Sequence, residues 1–172
     1  MKLTVNTTDI EHFEELMREA PAILDDWLAR ADAGAVAQLE AAVKLGTPSC
    51  YGTLVNSIFG APADAPLHGG IVGVSPPADV YGAAVEYGTR PHFPSEGGQI
   101  PISLMLWVQK RFGLTSIEKI EAAAKAMQWR IKAHGTPAAW MFRDAIKAEE
   151  ANIQAIYGMA VDNAFGELQQ GV

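Results

Sequence analysis

The chain has 172 residues, of which 49% are hydrophobic and 19% charged, a globular composition that argues against wholesale disorder and leaves enough chain to bury a core. No apolar run reaches the length that crosses a bilayer; the longest cluster, ISLMLWV, is bounded by Pro101 and Lys110. The net charge is -7, with no run of lysine or arginine, so the basic surface by which proteins grip phosphates is missing, although an acidic protein can still surround a duplex without holding it.

Residues 1–46 read as an N-terminal helical segment. The opening MKLTVNTTDIEHFEEL turns acidic at once and lacks the apolar core of a signal peptide. Thr8 to Glu11 forms a capping-box pattern. Ile10, Phe13, Met17, Ala20, Leu24, Trp27 and Leu28 then recur at helical spacing. Pro21 predicts a kink or a restart, and a second, alanine-rich helix runs on to a stop at Gly46. The first 45 residues carry nine acidic and four basic side chains. Cys50 is the only cysteine, which excludes an internal disulfide and fits a reducing compartment or a particle assembled in the cytoplasm.

Residues 47–101 are dense in glycine and proline. Ile71, Val72 and Val74 predict a short strand, and Leu54, Ile58 and Val85 fit further strands or a short helical turn. The expectation is a small antiparallel sheet with a long loop. Residues 102–172 return to helical patterning. ISLMLWVQKRFG predicts a short helix stopped at Gly113, and Thr115 to Glu118 forms another capping-box pattern. Ile117, Ile120, Ala124, Met127 and Ile131 share one face, with a stop at Gly135. A last helix is expected from about Ala138 to Phe165 or beyond. The predicted fold is a single α+β domain over 1–172: N-terminal helices, a small sheet, then two principal C-terminal helices.

Motifs that carry chemistry are sparse. His12, His68, His92 and His134 show no metal-ligand spacing, and neither metal nor cofactor is expected. Gly69, Gly70 and Gly73 do not make a nucleotide loop. Ser57 lacks the surroundings of a nucleophile elbow, and the neighbours Glu149 and Glu150 diverge on a helix. The most enzyme-like residues, Glu86 and His92, lie in AVEYGTRPHFP (84–94). A histidine base needs a nucleophile or substrate group within reach, and no third member stands at a recognised spacing. The stretch therefore reads as a conformationally locked contact arm, and the chain as no enzyme. Tyr87 and Phe93 supply apolar anchors, Glu86 and Arg90 a local ion pair, Gly88 the turn, and Pro91 and Pro94 a low entropy cost of docking. Trp140, Met141 and Phe142 cannot all face one side of a helix. With Arg143 they offer a neighbouring surface.

VEYGTRPHFP, preceded by Tyr81, resembles the signature of a tyrosine followed by Val-Glu-Phe/Tyr-Gly-Thr in the siphophage putative tail-component family, also called the tail-completion or minor-tail family. Tyr81, Val85, Glu86, Tyr87, Gly88 and Thr89 carry it. Three further boxes follow the family's order. Thr47, Pro48, Gly52, Leu54, Ser57 and Ile58 match an upstream box, with Tyr51 and Thr53 departing from its usual threonine and arginine. Leu104, Trp107, Val108, Lys110, Arg111, Gly113 and Leu114 match another. Gly135, Thr136, Pro137, Trp140, Phe142, Arg143 and Ala145 match the box before the last helix. The resemblance covers residues 47 to 146. It implies a non-enzymatic virion part at the head–tail junction, assembled in the host cytoplasm into a homo-oligomeric ring, commonly sixfold, around the DNA channel. The implied neighbours are a head-proximal connector or stopper and a tail terminator or tail tube. DNA would pass without sequence-specific binding, and no membrane is involved. A transient assembly factor and a virion-associated hydrolase using Glu86 and His92 are the alternatives from other classes.

Overall fold

A computed structural model describes residues 7–49, 51–64 and 67–170, without the side chains of 7–10 and His12. The Thr8 side chain of the first capping pattern, His12 and Cys50 lie outside the described residues. The fold is mixed α/β, with N-terminal helix, small sheet and C-terminal helices in the order predicted. It divides into two compact units. The first comprises Met1–Ala42, Phe59–Gly73 and Ala145–Val172, the second Val43–Ile58 and Val74–Asp144.

In the first unit, helix α1 (Thr7–Gly46) contributes its long N-terminal part. The predicted pair of N-terminal helices is one continuous helix that passes through Pro21 without a restart. A proline removes one backbone donor and crowds the carbonyl four residues back. Met17, Arg18, Glu19 and Ala20 before it and Ala22 and Leu24 after it are good helix formers, and their preference carries the chain across. Most of helix α6 (Met141–Gln170) lies in the same unit. It runs antiparallel to α1: Trp27 Nε1 donates to Glu167 at 2.8 Å, Tyr157 Oη to Asp32 at 2.5 Å and Gln38 Nε2 to Glu149 at 2.9 Å. Small residues let the two backbones approach, with Ala31, Ala35, Ala160 and Ala164 buried. In this register Gln170 falls opposite the turn around Leu24.

Strands β1 (Ile58–Pro62) and β2 (Gly70–Val74) form the two-stranded antiparallel sheet. Ile71, Val72 and Val74 fall in a strand as their β-branched run predicts. Leu54 belongs to helix α2 (Thr53–Ser57).

The second unit holds α2, helix α3 (Asp79–Tyr87), helix α4 (Ile102–Phe112) and helix α5 (Ile117–His134). Val43, Ala78, Val108 and Ala124 are fully buried in it, and Met141 almost so. Gly113 ends α4 in the left-handed region (φ 63°), as its place after an apolar run predicts. Two local expectations shift. Helix α5 takes Ser116 as its N-cap with no side-chain capping bond, so the Thr115–Glu118 box is not formed. Helix α6 starts at Met141 and not near Ala138, because the amides of Ala139 and Trp140 are bound to the carbonyls of Val85 and Glu86 (2.9 and 3.1 Å).

Among the described residues no helix is long and apolar enough to cross a membrane. Pro21 is exposed on a helix that survives it. Pro21→Ala restores the missing donor and should raise the unfolding free energy by roughly 1–3 kcal/mol, read as a higher urea midpoint by far-ultraviolet ellipticity. An unchanged midpoint would mean that α1 carries no stress at this turn.

Candidate functional site

The stretch 84–94 is a strap bound at both ends within the second unit. Its first half lies against residues 135–143. Thr89 N donates to Thr136 O at 3.1 Å, Thr136 N donates to Thr89 Oγ1 at 3.0 Å, and the two hydroxyls lie 2.9 Å apart. This backbone crossing requires glycine on each side. Gly88 (φ 74°) and Gly135 (φ 72°) hold left-handed φ values that side chains disfavour. A Cβ on Gly88 would strike the Thr136 carbonyl oxygen, and one on Gly135 the Thr89 carbonyl oxygen.

Once the backbones cross, Glu86 comes under the start of α6. Glu86 is buried, and its carboxylate accepts hydrogen bonds from the amides of Phe142 (2.9 Å) and Arg143 (3.1 Å). These are among the donors that a helix N-terminus leaves without an intrahelical partner, and a carboxylate there also favours the helix dipole. The expected Glu86–Arg90 ion pair does not form: Glu86 turns inward, and Arg90 is exposed. Trp140 precedes the helix with φ 53°, an uncommon conformation for a bulky residue, costing on the order of 1–3 kcal/mol. Its neighbours hold it there. Asp144 N donates to its carbonyl at 2.9 Å, the Tyr87 ring meets its ring edge-on at 5.7 Å, and Arg143 Cζ lies 4.1 Å from its ring centroid.

The second half of the strap lies on α5. His92 N donates to Ile131 O at 3.3 Å, and the buried Gln128 donates Nε2 to Pro94 O at 2.6 Å. Phe93 meets Trp129 edge-on at 5.8 Å, with Lys132 Nζ 4.6 Å from the Trp129 centroid. His92 Nδ1 lies 2.9 Å from Arg90 O, so that nitrogen is the donor. Of the residues singled out by sequence, Tyr87, Arg90, His92, Phe93 and Arg143 are exposed, Trp140 and Phe142 half-buried. Gly52, Leu54, Trp107, Gly113, Gly135 and Pro137 all lie in this unit, with Leu54 buried and Gly52 N-capping α2 at φ 81°.

Two adjoining grooves open beside the strap and share Tyr81 and Trp107. The larger, about 670 Å³, has Leu104, Met127 and Ile131 in its floor and His92 and Arg130 in its lining. The smaller, about 480 Å³, includes Tyr51 and Arg111. Among the described residues no carboxylate lines either groove.

A second polar cluster, in the first unit, was not expected from the sequence. Asp32 is buried on α1; it accepts from Gly69 N (2.7 Å) and Tyr157 Oη (2.5 Å) and lies 3.1 Å from His68 Nδ1. His68 Nε2 reaches Asp25 at 3.0 Å. The imidazole thus bridges two carboxylates and ties the β1–β2 connection to α1. Burial alone would raise the Asp32 carboxyl, but hydrogen bonds from Tyr157, Gly69 and His68 hold it below its ordinary value. The bonds to Asp25 and Asp32 raise His68. Burial and the bond to Asp32 push Tyr157 up to about 12. The one sequence signal was a carboxylate among the alanines of the buried helix face.

Among the described residues no group of three His, Cys, Asp or Glu could hold a metal ion. No protein-family model matches the chain, and no curated protein or solved structure is detectably similar to it.

Two outcomes follow from this geometry. Gly88→Ala and Gly135→Ala should each lower stability by roughly 1–3 kcal/mol, seen as an earlier thermal midpoint, since each puts a Cβ against backbone at a strained φ; a midpoint equal to the parent's would refute the crossing. For His68, whose folded pKa is raised, the stabilisation is full below its ordinary value of 6.5 and is lost as pH rises through the folded value. For Asp32, lowered, it is full above 3.8 and lost as pH falls through the folded value. The urea midpoint should therefore fall as pH rises beyond 6.5, and His68→Gln should flatten that fall. A parallel decline in both proteins would remove His68 as its cause.

Proposed function

We propose that this chain is a structural subunit of a long-tailed phage particle, closing into a ring at the head–tail junction around the DNA channel. One observation carries the reading. The two most specific boxes of the tail-component resemblance meet in space, although Thr89 and Thr136 are 47 residues apart and Glu86 and Phe142 are 56 apart. The residues that define those boxes make the contact: Glu86, Gly88 and Thr89 from one, Gly135, Thr136, Phe142 and Arg143 from the other. A chance likeness of short strings has no reason to pick residues that bond to each other across the fold. A motif inherited as one structural clamp does.

The surface agrees with a channel-forming part. The first unit carries 14 acidic and 4 basic side chains, a formal -10, which would repel a passing duplex and leave it unbound. The second carries 6 and 9, a formal +3, and presents the strap with its exposed aromatic and cationic residues Tyr87, Arg90, Phe93 and Arg143, a composition favoured at protein contacts. The proposed neighbours are a head-proximal connector or stopper on one side and a tail terminator or tail tube on the other, with six copies to match the tail.

Mass spectrometry of purified particles from the encoding phage tests this. The protein should be present at a fixed copy number, and loss of its gene should leave heads and tails unjoined. Its absence from finished particles that still need the gene would make it a transient assembly factor instead. Joined, infectious particles without the gene would overturn both.

A further inference from the structure

We infer that the grooves around Trp107 receive the N-terminal part of helix α1 from a second copy of this chain. The inference rests on the ring reading above and gives it an interface. The apolar stripe on the first turns of α1 is exposed among the described residues: Phe13 is 62% exposed, Met17 59% and Leu24 38%. Those residues recur at helical spacing on one face, the form in which a helix enters a groove. Their helix is strongly acidic. From Glu11 to Asp26 it carries Glu11, Glu14, Glu15, Glu19, Asp25 and Asp26 against the single base Arg18.

The groove has the opposite character. The lining of the two grooves is largely apolar and aromatic, with Arg111 in one and Arg130 in the other, and no carboxylate among the described residues lines either. The stripe and the groove are thus matched twice, apolar to apolar and acidic flank to basic rim. Charge complementarity of this kind steers encounter and fixes orientation. It also selects the occupant. A basic or neutral partner would satisfy the apolar floor and leave Arg111 and Arg130 unanswered. The two matched surfaces belong to different units, with formal charges of -10 and +3. Helix of one copy into groove of the next is a heterologous contact, which repeats head to tail and closes into a ring when the rotation allows.

Mass photometry and sedimentation velocity of the full-length chain, over a range of protein and salt concentrations, read the association directly. The parent should form oligomers larger than dimers that dissociate as salt rises. Phe13→Ala/Met17→Ala, exposed and helix-favouring, should weaken association about 30-fold or more, the scale of losing interface anchors. Arg111→Glu/Arg130→Glu should do the same from the other side. Mixed one to one, the two variants should form dimers and nothing larger, because one intact helix and one intact groove remain between them. Those dimers would also show that both variants are folded. Parent oligomers that persist in both variants would overturn this interface and leave the ring reading standing. A parent that stays monomeric at every concentration would overturn the inference, while particle composition still decides the phage assignment separately. A mixture that yields no dimers would overturn it as well.

Discussion

Everything in the second unit follows from one close passage of backbone over backbone, Gly88–Thr89 across Gly135–Thr136. No side chain can mediate it, because a Cβ on either glycine would meet a carbonyl oxygen. Once it is made, the ends of α3 and α5 are fixed and Glu86 is carried under the first turn of α6. The amides of Ala139 and Trp140 are bound to α3 carbonyls, so the helix starts at Met141. Met141 is then buried, and Thr47 Oγ1, which also bonds Val43 O at 2.6 Å, lies 3.3 Å from its sulfur. The strap continues over α5 and walls the groove. A buried carboxylate without partners would be costly; here the helix N-terminus and the carboxylate satisfy each other.

The parts of this fold that were legible in the sequence are those that act locally. The stops at Gly113 and Gly135 and the β-branched run in β2 follow from the conformations their own residues allow. The errors share a cause: a distant partner outweighed the local signal. Arg90 is the cation nearest in sequence to Glu86, but the carboxylate takes two helix amides 56 and 57 residues away. No residue type announces a free amide, so no pattern could have named that partner. Pro21 is the exception: in place of the expected restart, local helical preference carries the chain through one unfavourable residue in a 40-residue helix. Asp32 stood out only as a carboxylate in an alanine-rich face, since His68 and Tyr157 reach it from 36 and 125 residues away.

Charge behaves in the same way. Along the chain the acidic excess lies in the first 45 residues and again after Ala145, where Glu149, Glu150, Asp162 and Glu167 outnumber Lys147, and no basic block exists anywhere. Folding sorts the charges. The first unit gathers three separated segments into a body of -10, and the second collects scattered lysines and arginines into one of +3. A chain that is acidic as a whole thus contains a compact unit of net positive formal charge. The molecule's sum does not decide what either unit can attract, because Coulomb interactions at a contact are decided over a few ångströms.

The fate of the strap's residues bears on what kind of surface it offers. Folding engages the groups with the most chemical potential. Glu86 is buried on amides, Thr89 is bound to Thr136, and His92 Nδ1 is turned to the Arg90 carbonyl. The strap still exposes Tyr87, Arg90, His92 and Phe93, beside Trp129 and Arg143. Aromatic rings and arginines carry much of the binding energy at protein contacts, since they bury large rigid areas with few rotamers to freeze. The anchoring bonds at both ends hold those rings in place within the fold, so a partner docking there would have little left to order.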